Sequence, residues 1–119
     1  MLYSTYISNI KNLTEEQKKQ VIIIARYFIS KDFKKDIRLC PDEDLLRAIK
    51  MDFIDFEVFE MEFKNRMKKE PMLSGLRDLY RLSKHQDVII ACYEKDPAIC
   101  HRRIIGEFIA SYGVKYEEL

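Results

Sequence analysis

Two unbroken apolar runs, "VIIIA" at residues 21–25 and "VIIAC" at 88–92, constrain this chain more than any other feature. A strand with one face in water alternates apolar and polar side chains, whereas a strand apolar at every position must be covered on both faces. Two such strands, separated by segments of helical period, predict an α/β fold: a mainly parallel sheet with helices on both faces. The aromatic and β-branched opening "LYSTYI", Leu2 to Ile7, reads as another strand, and "VKYEE" at 114–118 as a short edge strand, so four strands are expected.

The intervening segments carry helix signals. "TEEQ", Thr14 to Gln17, has the form of a capping box, in which hydroxyl and amide side chains satisfy each other's backbone N–H. Pro41 favours a helix start, with Leu45, Leu46 and Ile49 as its apolar stripe through Lys50. Phe56, Phe59, Phe63 and Met67 recur at three- and four-residue spacing with Glu57, Glu60, Lys64 and Lys68 opposite, which reads as a core-facing stripe. Pro71 separates it from a helix marked by Leu73, Leu76, Leu79, Tyr80 and Leu82. Asp96 and Pro97 read as cap and first turn of a helix through Ile104, Ile105, Phe108 and Ile109, stopped by Gly113. Residues 26–39 show no period and read as one long loop. Three glycines and three prolines, scattered, leave no linker or repeat, so residues 1–119 form a single domain.

Charge narrows the function. The 21 basic and 20 acidic residues are intermixed, so no global field gathers nucleic acid or anionic membrane, and an anion site must be local. No apolar run approaches the roughly 20 residues of a membrane span, and "MLYSTYISNI" lacks a basic region ahead of a hydrophobic one. A cytoplasmic protein without a membrane partner is expected, its three cysteines, Cys40, Cys92 and Cys100, reduced and the sequon at Asn12 idle.

The stretch "DVIIACYEKDPAICHRR", Asp87 to Arg103, gathers two thiols, an imidazole and two guanidiniums. In parallel sheets ligands collect beyond the carboxyl ends of the strands, facing helix N-termini. Cys92 ends one strand and Arg26 another, while Cys100, His101 and Arg102 open the helix that follows Cys92. A thiol beside cations is held as thiolate, which makes Cys92 a candidate nucleophile and His101 its acid or base. Arg26, Cys100 and Arg102, with the amides at 97–99, are the candidate ligand-binding groups. Each cysteine also has a plain packing role as a small hydrophobe, and Cys100 lies four and eight residues from Ile104 and Phe108. Arg102 and Arg103 point to different sides of a helix, so at most one enters a pocket. His85, in the polar turn "SKHQ", receives no role.

Two familiar sites are disfavoured by spacing. A phosphatase-type loop needs an arginine shortly after its thiol, and the position six after Cys92 is Ala98. Cys92, Cys100 and His101, with Cys40 or a carboxylate as fourth, could hold zinc, but seven residues between the cysteines match no common pair spacing. No metal and no cofactor are therefore assigned. The expected function is binding of a phosphorylated or nucleotide-like small molecule, with or without thiol-dependent turnover. One alternative is an interaction or nucleic-acid-binding protein that uses "SKDFKK", residues 30–35, with Phe33 stacking a base; the other is a small zinc-binding protein.

The stretch "VIIACYEKDPAICHRRIIGEFI" resembles the signature of the family known as domain of unknown function 488: a hydrophobic strand, a cysteine, a charged loop, then Cys-His-Arg opening a helix. "IARYF", Ile24 to Phe28, resembles that family's strand ending in arginine, and "LCPDEDLLRAIK" its next helix. This chain departs from the pattern at Phe28 and Ile29, where relatives carry proline. The resemblance implies an α/β fold and a shared site built from Cys92, Cys100, His101, Arg102 and Arg26, without implying a reaction.

Overall fold

A computed structural model describes all 119 residues. Strands β1 (Leu2–Tyr6), β2 (Val21–Ile23), β3 (Lys34–Lys35), β4 (Val88–Cys92) and β5 (Tyr116–Glu118) form one sheet in the order β3-β2-β4-β1-β5, every pair parallel. The expected four strands become five, because Lys34–Lys35 lies within the stretch read as loop and pairs with Ile22 and Ile23. Two exposed lysines carry no apolar pattern, so pairing partner rather than sequence makes them a strand; lysines also blunt the free edge.

All five residues of β4 are buried. Successive side chains point to opposite faces, so both faces of this central strand are covered, as its unbroken apolar run requires. Register follows from that burial: Leu2 pairs with Val88 and Tyr6 with Cys92, while Val21 pairs with Ile89 and Ile23 with Ala91. The strand ends of β2 and β4 thus stand side by side.

Helices α1 (Glu15–Lys18), α2 (Glu43–Lys50), α3 (Phe56–Arg66), α4 (Met72–His85) and α5 (His101–Ala110) complete the chain, with 3-10 turns at Ile7–Asn12, Ile37–Leu39 and Pro97–Ile99. The capping box at Thr14 forms in full, hydroxyl to Gln17 N–H and Gln17 side chain to Thr14 N–H. On α3 the aromatic stripe stacks, Phe56 on Phe59 at 5.3 Å and Phe59 on Phe63 at 5.9 Å between centroids, and Phe59, Phe63 and Met67 are buried. No helix is long and apolar enough to cross a membrane.

One boundary departs from the sequence reading in a way that matters. Asp96 caps a separate 3-10 turn, its carboxylate accepting from Ala98 N–H at 2.9 Å, and Cys100 is extended (φ −131°, ψ 142°) before α5 begins at His101. The continuous helix expected from Pro97 is broken at Cys100, which turns its sulfur toward β4.

Connections run in opposite directions from the two adjacent strand ends. After β2 the chain goes outward to β3; after β4 it passes over β1 to reach β5. Such a reversal leaves a crevice beyond the carboxyl ends of β2 and β4, the place where open α/β sheets hold ligands.

Helix α5 seats closely on β1 and β5, and a side-chain methyl at Gly106 would overlap the Tyr116 ring. Gly106→Ala is therefore expected to destabilise the protein by about 1–3 kcal/mol, the usual cost of overpacking, against the gain in helix propensity that alanine normally brings. A urea midpoint that rises in this variant would show that β5 does not pack on α5 as described.

Candidate functional site

The base of the crevice is organised by Arg102, whose side chain is fully buried at 0% exposure. A buried guanidinium needs a negative partner and an acceptor for each of its five N–H donors. Here Nε donates to Glu118 at 3.1 Å, Nη2 to Glu118 at 2.8 Å and to the Lys95 carbonyl at 3.0 Å, and Nη1 to the Glu94 carbonyl and to Cys92 Sγ at 3.5 Å. Glu118 and Tyr116 both reach Ser4 on β1, the Tyr116 hydroxyl at 2.5 Å. One side chain from α5 thereby ties the end of β4, the following loop and the edge strand β5 together. Arg102 is not in the crevice: with all five donors taken it has nothing to offer a ligand, which corrects its expected role in binding one.

Cys92, Cys100 and His101 converge above it. The two sulfurs lie within bonding distance across Cα atoms 7.7 Å apart, so Cys92 and Cys100, expected as reduced thiols, can also pair as a disulfide. The metal-ligating atoms of Cys92, Cys100 and His101 all lie within 4.8 Å of one another. His101 Nε2 lies 2.8 Å from the Ile24 carbonyl, which can only accept, so Nε2 carries the proton and Nδ1 presents its lone pair, 3.8 Å from Cys100 Sγ. Burial pushes the imidazole down to about 4, and the nearby Arg102 charge acts in the same direction. At neutral pH His101 is thus an uncharged ring tilted against Phe63, its proton committed to the Ile24 carbonyl just after β2 and its free nitrogen on the sulfur side.

These three groups line one wall of a hollow of about 400 Å³. Arg26, Tyr27 and Pro41 form the β2 side, Lys50 and Phe56 the α2–α3 side, and Tyr93, Glu94 and Ile99 the β4 side. Ten of its 15 lining residues are hydrophobic, which suits a ligand with a flat apolar body, and the charged groups sit at the mouth. Arg26 is half-buried, uses Nε to donate to the Pro41 carbonyl at 2.7 Å, and makes no ion pair, so its terminal nitrogens remain without a protein partner. Lys50 lies over the Tyr27 ring at 5.6 Å, likewise without an ion pair.

The sequence reading located Cys92, Cys100, His101 and Arg26 in this hollow but missed Lys50, Glu94 and the aromatic walls, since nothing in a lone lysine or tyrosine signals which cavity it faces. The amides at 97–99 are not available as expected: Pro97 has none, Ala98 N–H serves Asp96, and Ile99 and Cys100 N–H close the 3-10 turn on Asp96 and Pro97 carbonyls. Arg103 is paired with Glu60 at 2.5 Å and Glu107 at 2.7 Å outside the hollow. Cys40 is buried elsewhere, its thiol pushed up to about 11 by burial, and does not supply a fourth ligand. In the loop at 30–35, Phe33 packs against the core and Lys35 Nζ binds the carbonyls of Arg26 and Phe28, so neither forms a free stacking and phosphate-gripping surface.

A family model described as the active DUF488-N3 subclade matches residues 5–113. No curated protein and no solved structure gives a significant match.

The pair is buried on the Arg102 side only, since Glu118 keeps 27% of its side-chain surface in water, so losing the guanidinium chiefly strands two loop carbonyls, at a cost of about 1–3 kcal/mol. Arg102→Met is expected to lose stability of that order in chemical denaturation, and Arg102→Lys to recover little, because an ammonium cannot span Glu118, two carbonyls and Cys92 at once. A loss below about 1 kcal/mol, the scale of an exposed pair, would contradict the keystone role.

Proposed function

This chain belongs to the DUF488-N3a family, and we propose that it binds a small molecule with an anionic group on a flat ring, of the phosphorylated or nucleotide-like class, in the hollow beyond β2 and β4. The observation that carries this reading is Arg26: a half-buried guanidinium with unpartnered terminal nitrogens at the mouth of an aromatic-lined crevice. Those nitrogens are open to solvent rather than sealed in the interior, and an anion entering the hollow would gain charge-assisted bonds to both arms of the fork. Lys50 adds a second cation, while Tyr27, Tyr93 and Phe56 offer ring faces to a planar body.

Turnover, in this reading, depends on the Cys92 thiol and therefore on the open, reduced form of its pair with Cys100. The guanidinium fixed 3.5 Å from Cys92 Sγ favours negative charge on that sulfur once the pair is open. His101 acts on sulfur through Nδ1 rather than on the ligand through a mobile proton.

Thermal-shift and calorimetric titration of the reduced protein with nucleoside mono- and diphosphates and with sugar phosphates tests the proposal. At least one of these classes is expected to bind, and Arg26→Ala to weaken it by about tenfold or more, since a hydrogen bond to a charged group is worth roughly 1.5–3 kcal/mol. Lys50→Ala should give a smaller loss. If no anionic ligand binds, or if Arg26→Ala leaves affinity unchanged, the proposal fails.

A further inference from the structure

The corner where Cys92, Cys100 and His101 meet has a donor chemistry that anion binding does not use. We propose that, when reduced, the Cys92 and Cys100 thiolates and His101 Nδ1 form a zinc centre whose fourth coordination position opens into the hollow. The inference rests on the proposed ligand site for its setting and gives the thiols a task within it.

Two sulfurs and an imidazole nitrogen within 4.8 Å select a borderline-soft ion such as zinc over magnesium or calcium, which take oxygen. Three protein ligands with one open position is the composition of catalytic rather than structural zinc sites. Cys40 lies outside the cluster, so the protein supplies no fourth thiolate, while Glu94 lines the same hollow on the open side.

A metal-bound histidine hands its other N–H to a carbonyl or carboxylate, which fixes tautomer and ring orientation. His101 does this with the Ile24 carbonyl at 2.8 Å, leaving Nδ1 as the free lone pair on the sulfur side. Arg102 Nη1 donates to Cys92 Sγ at 3.5 Å, a support for a thiolate ligand from behind.

The Cα atoms of Cys92 and Cys100 stand 7.7 Å apart, beyond the roughly 4.4–6.8 Å over which disulfides ordinarily form. Two sulfurs each about 2.3 Å from a tetrahedral zinc sit about 3.8 Å from one another, which a wider backbone separation accommodates. The seven-residue gap fits no knuckle motif because the pair is made from a strand end and a helix cap instead.

Binding is redox-neutral: Zn²⁺ takes the place of two thiol protons, which leave to solvent, and His101 Nδ1 donates its lone pair. The disulfide form, having no thiolates, holds no ion until an external thiol or phosphine reductant supplies two electrons.

The test is titration of the full chain, reduced with a phosphine, using Co²⁺ alone and then Zn²⁺. One equivalent of cobalt is expected to produce a thiolate-to-metal charge-transfer band with tetrahedral d–d absorption, both abolished by one equivalent of zinc. Cys92→Ser and Cys100→Ser should each lose the band, Cys40→Ser should keep it, and oxidation of the unmutated protein with diamide should prevent it. That last arm requires no variant to fold. Absence of a charge-transfer band in the reduced protein, or its persistence in Cys92→Ser, overturns the centre. Reduced protein that takes no cobalt yet binds a nucleotide through Arg26 overturns the zinc centre alone; protein that takes the metal but no anionic ligand supports the centre and overturns the ligand reading.

Discussion

The buried guanidinium of Arg102 is the contact on which the site depends. A permanent cation at zero exposure is tolerated only if each of its donors finds an acceptor and its charge a counter-charge. Glu118, two loop carbonyls and the Cys92 sulfur meet that demand from three different elements. In doing so they fix where β5 joins the sheet, how the loop after β4 turns, and where Cys92 points. The same saturation removes Arg102 from ligand binding, so the most buried charge in the protein builds the site without entering it.

Above that base the sheet topology makes the hollow. Chain connections diverge from β2 and β4, so nothing closes the space beyond their ends, and α2 and α3 form its far wall. The break at Cys100 is equally necessary. Had the helix run on from Pro97, the Cys100 side chain would have followed the helical stripe toward Ile104; extended instead, it meets Cys92. Arg26 and Lys50 then line the hollow without an ion pair, on the same lining as Glu94, and the buried sulfur pair with its neutral imidazole lies deeper. Two kinds of group, cations nearer the solvent and a sulfur–nitrogen cluster on the inner wall, share one cavity.

The fold was largely legible because its signals are local and periodic. "VIIIA" and "VIIAC" announce strands covered twice, the Phe56–Met67 stripe announces a buried helix face, and the Thr14 box and Gly113 stop mark ends through backbone chemistry confined to a few residues. The missed strand, Lys34–Lys35, has no such signal: it is a strand only because β2 presents an open edge to it. Of the site, Cys92, Cys100, His101 and Arg26 were readable from residue type and position at strand ends, while Lys50, Glu94 and the aromatic walls were not, since helices distant in sequence bring them there.

By itself, then, the sequence determined an α/β sheet with a chemically dense strand-to-helix junction, because apolar periodicity and capping depend on neighbours within a turn or two. Only tertiary structure decided which arginine is buried and saturated, which is free to bind, and which nitrogen of His101 faces sulfur. Those outcomes are set by Glu118 and the Ile24 carbonyl, groups 16 and 77 residues away along the chain whose approach no local pattern encodes.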